Sequence, residues 1–179
     1  MIVRQFFIAT IVLGVASMAS TLTLKSNAIR KGKSIPIEQV FNGSGCDGQN
    51  ISPDLEWSGA PKNTKAFAVT VFDPDAPTGS GWWHWIVFNI PANVNHLALG
   101  AGSGKAPLPE GAIQGRNDYG QFGYGGPCPP PGKPHRYVFT VYALKEKVPL
   151  DENATAAMVG FNLNHLKIAA GRLQARYGR

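Results

Sequence analysis

With 179 residues, 44% of them hydrophobic, the chain can bury the core of one domain and is short for several. Its 21 glycines and 14 prolines exclude a fold dominated by long helices and favour strands joined by turns. The formal charge of +6 is dispersed, apart from Arg30-Lys31-Gly32-Lys33 and the tail Arg172, Arg176, Arg179. No basic helix or nucleic-acid motif accompanies it, so no nucleic-acid partner is expected, only mild attraction to anionic ones.

Residues 1–19 differ from the rest of the chain. Arg4 precedes an apolar run from Phe6 to Val15, and Ser17-Met18-Ala19 offers small residues at −3 and −1 of a cleavage site. This is the pattern of a secretory signal peptide, with cleavage expected nearest Ala19/Ser20. The alternative, an uncleaved anchor, suffers from length: a span needs roughly 20 apolar residues. No second such run is present, so residues 20–179 are expected to be one exported domain, periplasmic or secreted, without stable membrane insertion.

Thr21 to Lys25 alternates apolar and polar residues, as a half-buried strand does. Phe41 to Gly48 is a glycine-rich loop. Lys65 to Phe72 is a nearly continuous strand run, and His84 to Ile90 is another that stops at Pro91. Ala98 to Pro109 reads as loop, and Gly111 to Gly126 as a short strand followed by turns. His135 to Leu144 is the strongest strand, rich in β-branched and aromatic residues. Asn153 to about Leu166 reads as a helix, capped by Asp151 or Asn153, with Ala157, Met158, Phe161 and His165 near helical spacing. Arg172 to Tyr177 alternates again and reads as a closing strand. Strands without intervening helices predict a mainly β, antiparallel fold with one short helix near the C-terminus.

Cys46 and Cys128 both lie in Gly/Pro-rich loops. Export makes a disulfide between them permissible and expected; two free buried thiols are the alternative.

The chemistry concentrates at strand ends. Asp73-Pro74-Asp75-Ala76-Pro77 follows one strand on a proline-stiffened loop. His84 opens the next, within Trp82-Trp83-His84-Trp85. His135 and Tyr137 open a third and share a face, being two apart; Asp73 and Asp75 can do the same. Each has a plainer reading, as a turn carboxylate, a packed imidazole or a core indole. If the strands are neighbours, two Asp, two His and one Tyr converge on one mouth. Such a cluster serves a divalent metal, general acid–base catalysis or anion binding. No HxH or HExxH spacing supports a metal, and Gly79-Ser80-Gly81 lacks the spacing of a nucleophile elbow. Anion binding is favoured: the carboxylates would hold the imidazoles charged or in the donor tautomer, Tyr137 and loop N–H groups would add donors, and the tryptophans could face an ammonium group.

The ordered motifs Asp73-Pro74-Asp75-Ala76-Pro77, Trp82-Trp83-His84-Trp85 and Pro129-Pro130 with His135-Arg136-Tyr137 resemble those of the phosphatidylethanolamine-binding proteins, also called Raf kinase inhibitor-like proteins, and most closely their bacterial branch. The resemblance runs from Thr21 to Tyr177. It implies an antiparallel β-sandwich with a small surface pocket for phosphate-type anions. By position, Asp73, Asp75, Pro77, Trp82, His84, His135 and Tyr137 match the family's pocket residues. Cys128 stands where the family often has Gly before the double proline. The resemblance implies a phosphate-containing small molecule or lipid headgroup as ligand and no cofactor. A kinase or protease partner is compatible with it, as is a homodimer. The expected function is a non-enzymatic binding module, an inhibitor or modulator of a partner protein included; a phosphoester or acyl-ester hydrolase using the Asp/His cluster is the alternative.

Overall fold

The structure is a computed structural model that describes residues 21–179, so the expected signal peptide, residues 1–19, lies outside the described residues. In chain order the elements are β1 (Thr23–Lys25), β2 (Asn42–Gly43), β3 (Cys46–Asp47), β4 (Leu55–Ser58), β5 (Ala66–Asp73), β6 (Trp82–Pro91), β7 (His96–Leu97), β8 (Ile113–Gln114), β9 (His135–Leu144), α1 (Ala156–Leu166) and β10 (Lys167–Tyr177).

A five-stranded sheet, ordered β10-β9-β5-β6-β8, carries the architecture, and every pairing within it is antiparallel. Its central strand β5, Ala-Phe-Ala-Val-Thr-Val-Phe-Asp, is buried on both faces, which explains a run without polar alternation. A three-stranded sheet, β1-β4-β7, lies over one face. Leu22, Leu24, Leu55, Trp57 and Leu97 from that side pack against Phe67, Val69, Val71, Trp85, Val87, Phe139 and Val141. The second face carries α1, whose Val159, Leu163 and Leu166 pack on Ala68, Ile86, Phe88 and Leu144. The antiparallel sandwich, with one α-helix among the described residues, agrees with the sequence expectation.

Several boundaries differ from it. The helix starts at Ala156 and its cap is Thr155, whose hydroxyl accepts from the Met158 N–H, rather than Asp151 or Asn153. Asp151 instead accepts from the Asn153 N–H in the preceding turn. The buried stripe is Ala156, Val159, Leu163 and Leu166, while Met158 and Phe161 are exposed. β10 begins at Lys167, directly after α1, five residues before the expected start. The short strands β2, β3, β4 and β7 have two to four residues each, too few to show a period.

Candidate functional site

Antiparallel pairing brings three strand ends to one edge. β5 ends where β6 and β9 begin, with Asp73 opposite Trp82 and Phe72 opposite Val138. The strand ends surround a cavity of about 270 Å³ lined by Asp73, Pro77, Trp82, His84, His135 and Tyr137, six of the seven residues expected there. Tyr119, Thr78, Ser44 and Cys128-Pro129-Pro130 complete most of the wall. No lysine or arginine lines it.

His84 owes its place to a β-bulge. Val71 pairs with Trp85 and Phe72 with Trp83, so His84 is left without a partner on β5. Bulges re-aim side chains. Here Trp85 stays in the core between the sheets, whereas Trp83, two residues away, packs on the cluster beneath α1. His84 Nδ1 donates to the carbonyls of Gly125, at 2.7 Å, and Gly126, at 3.2 Å. The ring is buried, and burial pulls its pKa down to about 4, outweighing the two carbonyls and the Asp73 carboxylate, which push upward. Of the two expected states, charged or held in one tautomer, His84 takes the second, and its neighbours on Nδ1 are the Gly125 and Gly126 carbonyls rather than a carboxylate.

Asp73 is 2% exposed. One of its oxygens accepts from His135 Nδ1 at 2.7 Å, and the other from the Asp75 N–H at 2.8 Å. Tyr137 is fully buried, and its hydroxyl has no hydrogen-bond partner among the described residues. Burial raises the pKa of that hydroxyl well above the usual phenol range, and the neighbouring Asp73 carboxylate adds to the rise.

Asp75 is the correction to the predicted set. It does not line the cavity. Its carboxylate turns outward and accepts from the Arg136 backbone N–H, Nε and Nη2 at 2.8, 2.9 and 2.7 Å. The guanidinium holds its pKa far below the usual carboxylate range. The two carboxylates therefore split: Asp73 orients His135 inside, and Asp75 ties the next residue of β9 to the same loop outside. The i, i+2 rule fails here because Asp75 lies in a turn beyond the strand end.

Sequence reasoning misses Tyr119. Its ring stacks on Phe41 at 4.1 Å, sets its edge against Trp82 and His84, and its hydroxyl donates to the Gly126 carbonyl at 3.0 Å. The one signal for it is an aromatic residue in an otherwise Gly-rich turn stretch. Asp118 pins that turn to β6 by accepting from the Trp83 N–H at 2.7 Å. Gly126 is required by close approach: a Cβ there would stand 2.1 Å from the Gln39 carbonyl oxygen.

Cys46 and Cys128 are bonded, with Cα atoms 6.0 Å apart, and the bridge ties β3 to the cavity rim. It closes a loop of 82 residues, worth about 4–5 kcal/mol in the chain-entropy model. Arg179 braces the same rim, its Nε donating to the Pro129 carbonyl at 2.7 Å. Among the described residues, no three His, Cys, Asp or Glu side chains are grouped to hold a metal ion, and no helix is long and apolar enough to cross a membrane.

An antiparallel sandwich with a His/Asp/Tyr cavity at the ends of three strands places the chain in a class of β-sandwich proteins. The chain belongs to the phosphatidylethanolamine-binding protein family, whose model matches residues 25–178. It is 53% identical over 165 residues to the UPF0098 protein YbcL of Escherichia coli, covering 90% of each chain. It is 50% identical over 157 residues to YbhB of the same organism, covering 87% of this chain and 99% of that one. The crystal structure of E. coli YbcL, described as a new member of the mammalian family, superposes with a TM-score of 0.86 over 89% of this chain and 99% of the other.

Proposed function

We propose that this protein is an exported, non-enzymatic binding module whose cavity takes a phosphate-type anion, either a phospholipid headgroup or a phosphorylated small ligand. One observation carries the reading. The Tyr137 hydroxyl, like the Trp82 indole N–H, is buried at the cavity without a partner among the described residues. An unpartnered buried hydroxyl costs stability, about 1–3 kcal/mol. An oxyanion accepting from it removes that cost. Family membership supports the reading, and the disulfide supports an oxidising compartment, periplasmic or extracellular. The interaction partner is then reached through the loaded cavity or the surface around it.

The wall offers no prepared nucleophile. Cys128 is bonded to Cys46, and the Thr78 hydroxyl donates to the Gly81 carbonyl. The Asp73–His135 pair, at 2.7 Å, is nonetheless the arrangement that orients a general base, and it favours phosphoester hydrolysis as the second reading.

Calorimetric titration of phosphate and phosphoethanolamine into wild-type and Tyr137→Phe proteins tests the proposal. The variant is expected to bind about tenfold or more weakly while melting no lower than wild type, because it loses a donor that nothing in the fold uses. Equal affinities would overturn the assignment. Turnover of a generic phosphoester by wild type would replace it with the hydrolase.

A further inference from the structure

We propose that the cavity selects an oxyanion that keeps a proton, a phosphomonoester or phosphate monoanion, and discriminates against sulfate and phosphodiesters. The inference rests on the phosphate reading above and names the ligand class within it.

His84 sets the polarity of the wall. Its Nδ1 faces two carbonyls at 2.7 and 3.2 Å, and carbonyls only accept, so that nitrogen carries the hydrogen. Nε2 is then a lone pair. It has no hydrogen-bond partner among the described residues, and the ring borders the cavity between the edge contacts to Tyr119 and Tyr137. A sulfate or diester oxygen placed there would set lone pair against lone pair. A P–O–H would donate to it. The Tyr137 hydroxyl supplies the complementary donor for a P=O or P–O⁻ oxygen. With the Trp82 indole N–H, unpartnered among the described residues, as a second donor, donors and one acceptor side by side match the two kinds of oxygen on a protonated phosphate.

Charge points the same way. The groups facing His84 are Asp73 from β5, His135 and Tyr137 from β9, and Tyr119 from the turn before Gly120. Among them Asp73 is a buried carboxylate already bonded to His135, and among the described residues no lysine or arginine lines the cavity to offset a dianion. Arg136 is turned outward by Asp75, and Arg179 is engaged by the carbonyls of Pro129 and Gly45. The monoanion therefore suits the wall better than the dianion. Because its pKa lies near 4, His84 remains an acceptor through the pH range in which phosphomonoesters titrate.

The test is a ligand series on the wild-type protein. Methyl phosphate, dimethyl phosphate and sulfate are titrated calorimetrically at pH 5.5 and 7.5. At pH 5.5, methyl phosphate is expected to bind about ten- to hundredfold more tightly than the other two. At pH 7.5, beyond a second ionisation near 6, its advantage should shrink about tenfold. Sulfate and dimethyl phosphate keep their charge throughout, so they report any change in the protein. If either matches methyl phosphate at pH 5.5, the anion site stands and proton selection is overturned. If none of the three binds, the phosphate reading fails and this inference with it. Dimethyl phosphate also stands for a lipid diester and methyl phosphate for a free or protein-borne monoester, so their order tells which source the site serves.

Discussion

The two ends of strands β5, β6 and β9 both bury side chains and are chemically opposite. At one end, Phe88, Leu144 and Val159 form an apolar cluster under α1. The buried polar residue there, Asn89, is satisfied: its amide donates to the Val148 carbonyl at 3.0 Å and accepts from the Val148 N–H at 2.8 Å. At the other end, Asp73, His84 and Tyr137 are as deeply buried, yet the Tyr137 hydroxyl and the Trp82 indole N–H have no partner among the described residues. Burial does not separate a site from a core. Between these two ends the difference is whether the buried polar atoms are satisfied from within; among the described residues the same open valence recurs away from the cavity at Gln39 Oε1 and Trp57 Nε1.

The comparison is broken most forcefully at the apolar end. Phe88 is fully buried against α1, and Phe88→Ala should cost about 3–5 kcal/mol through lost burial and the cavity left behind. Denaturant unfolding measures this. Phosphate affinity of the protein that stays folded should change by less than about twofold. A large affinity loss would show that the two ends are coupled rather than separate.

The sequence displays the second end more clearly than the first. His84, His135 and Tyr137 are legible because strand runs begin at them, and antiparallel pairing does the rest. The apolar end misleads: Met158 and Phe161 look like the packing stripe of α1, but Thr155 caps the helix late and rotates Val159 and Leu163 inward. Within the site, Asp73 and Asp75 are alike by spacing. Only the Arg136 side chain, which reaches back from β9 across 61 residues of chain, decides that Asp75 faces out. The bulge at His84 is a register property of two strands and has no trace in either one. Tyr119 sits in a turn, where no periodicity marks a side chain.

A smaller effect sharpens the polar end. His84 has a folded pKa near 4 against an unfolded value of 6.5. The unfolded chain therefore binds the proton first, and the stability from neutral His84 is present above pH 6.5 and lost as pH falls toward 4. At 1.36 kcal/mol per pKa unit the loss is on the order of 3 kcal/mol. Carboxylates also titrate at the lower edge of this range, so the difference between wild type and His84→Asn isolates the ring. The asparagine amide still donates toward the Gly125 and Gly126 carbonyls but does not titrate. Its stability should be flatter between pH 6.5 and 4; parallel curves would show that His84 is not neutral in the fold.

The smallest effect concerns the carboxylate that left the site. Asp75 binds Arg136 by three hydrogen bonds, but both side chains are substantially exposed, 30% and 45%, so solvent screens the pair. Its stability contribution should be the smallest of the three. The sign follows from a depressed folded pKa: the contribution is present above the unfolded value of 3.8 and disappears as pH falls below it. Asp75→Asn keeps the size of the side chain, removes the charge and weakens the clamp on the first residues of β9. Its stability deficit against wild type should vanish at low pH and shrink in high salt, since the pair is exposed. Because Asp75 touches Arg136 and not the cavity, any loss of phosphate affinity should stay within about threefold, acting through the placement of His135. A loss as large as that of Tyr137→Phe would put Asp75 back among the residues that meet the ligand, and would mean that the loop from Asp73 to Pro77 rearranges when the cavity fills.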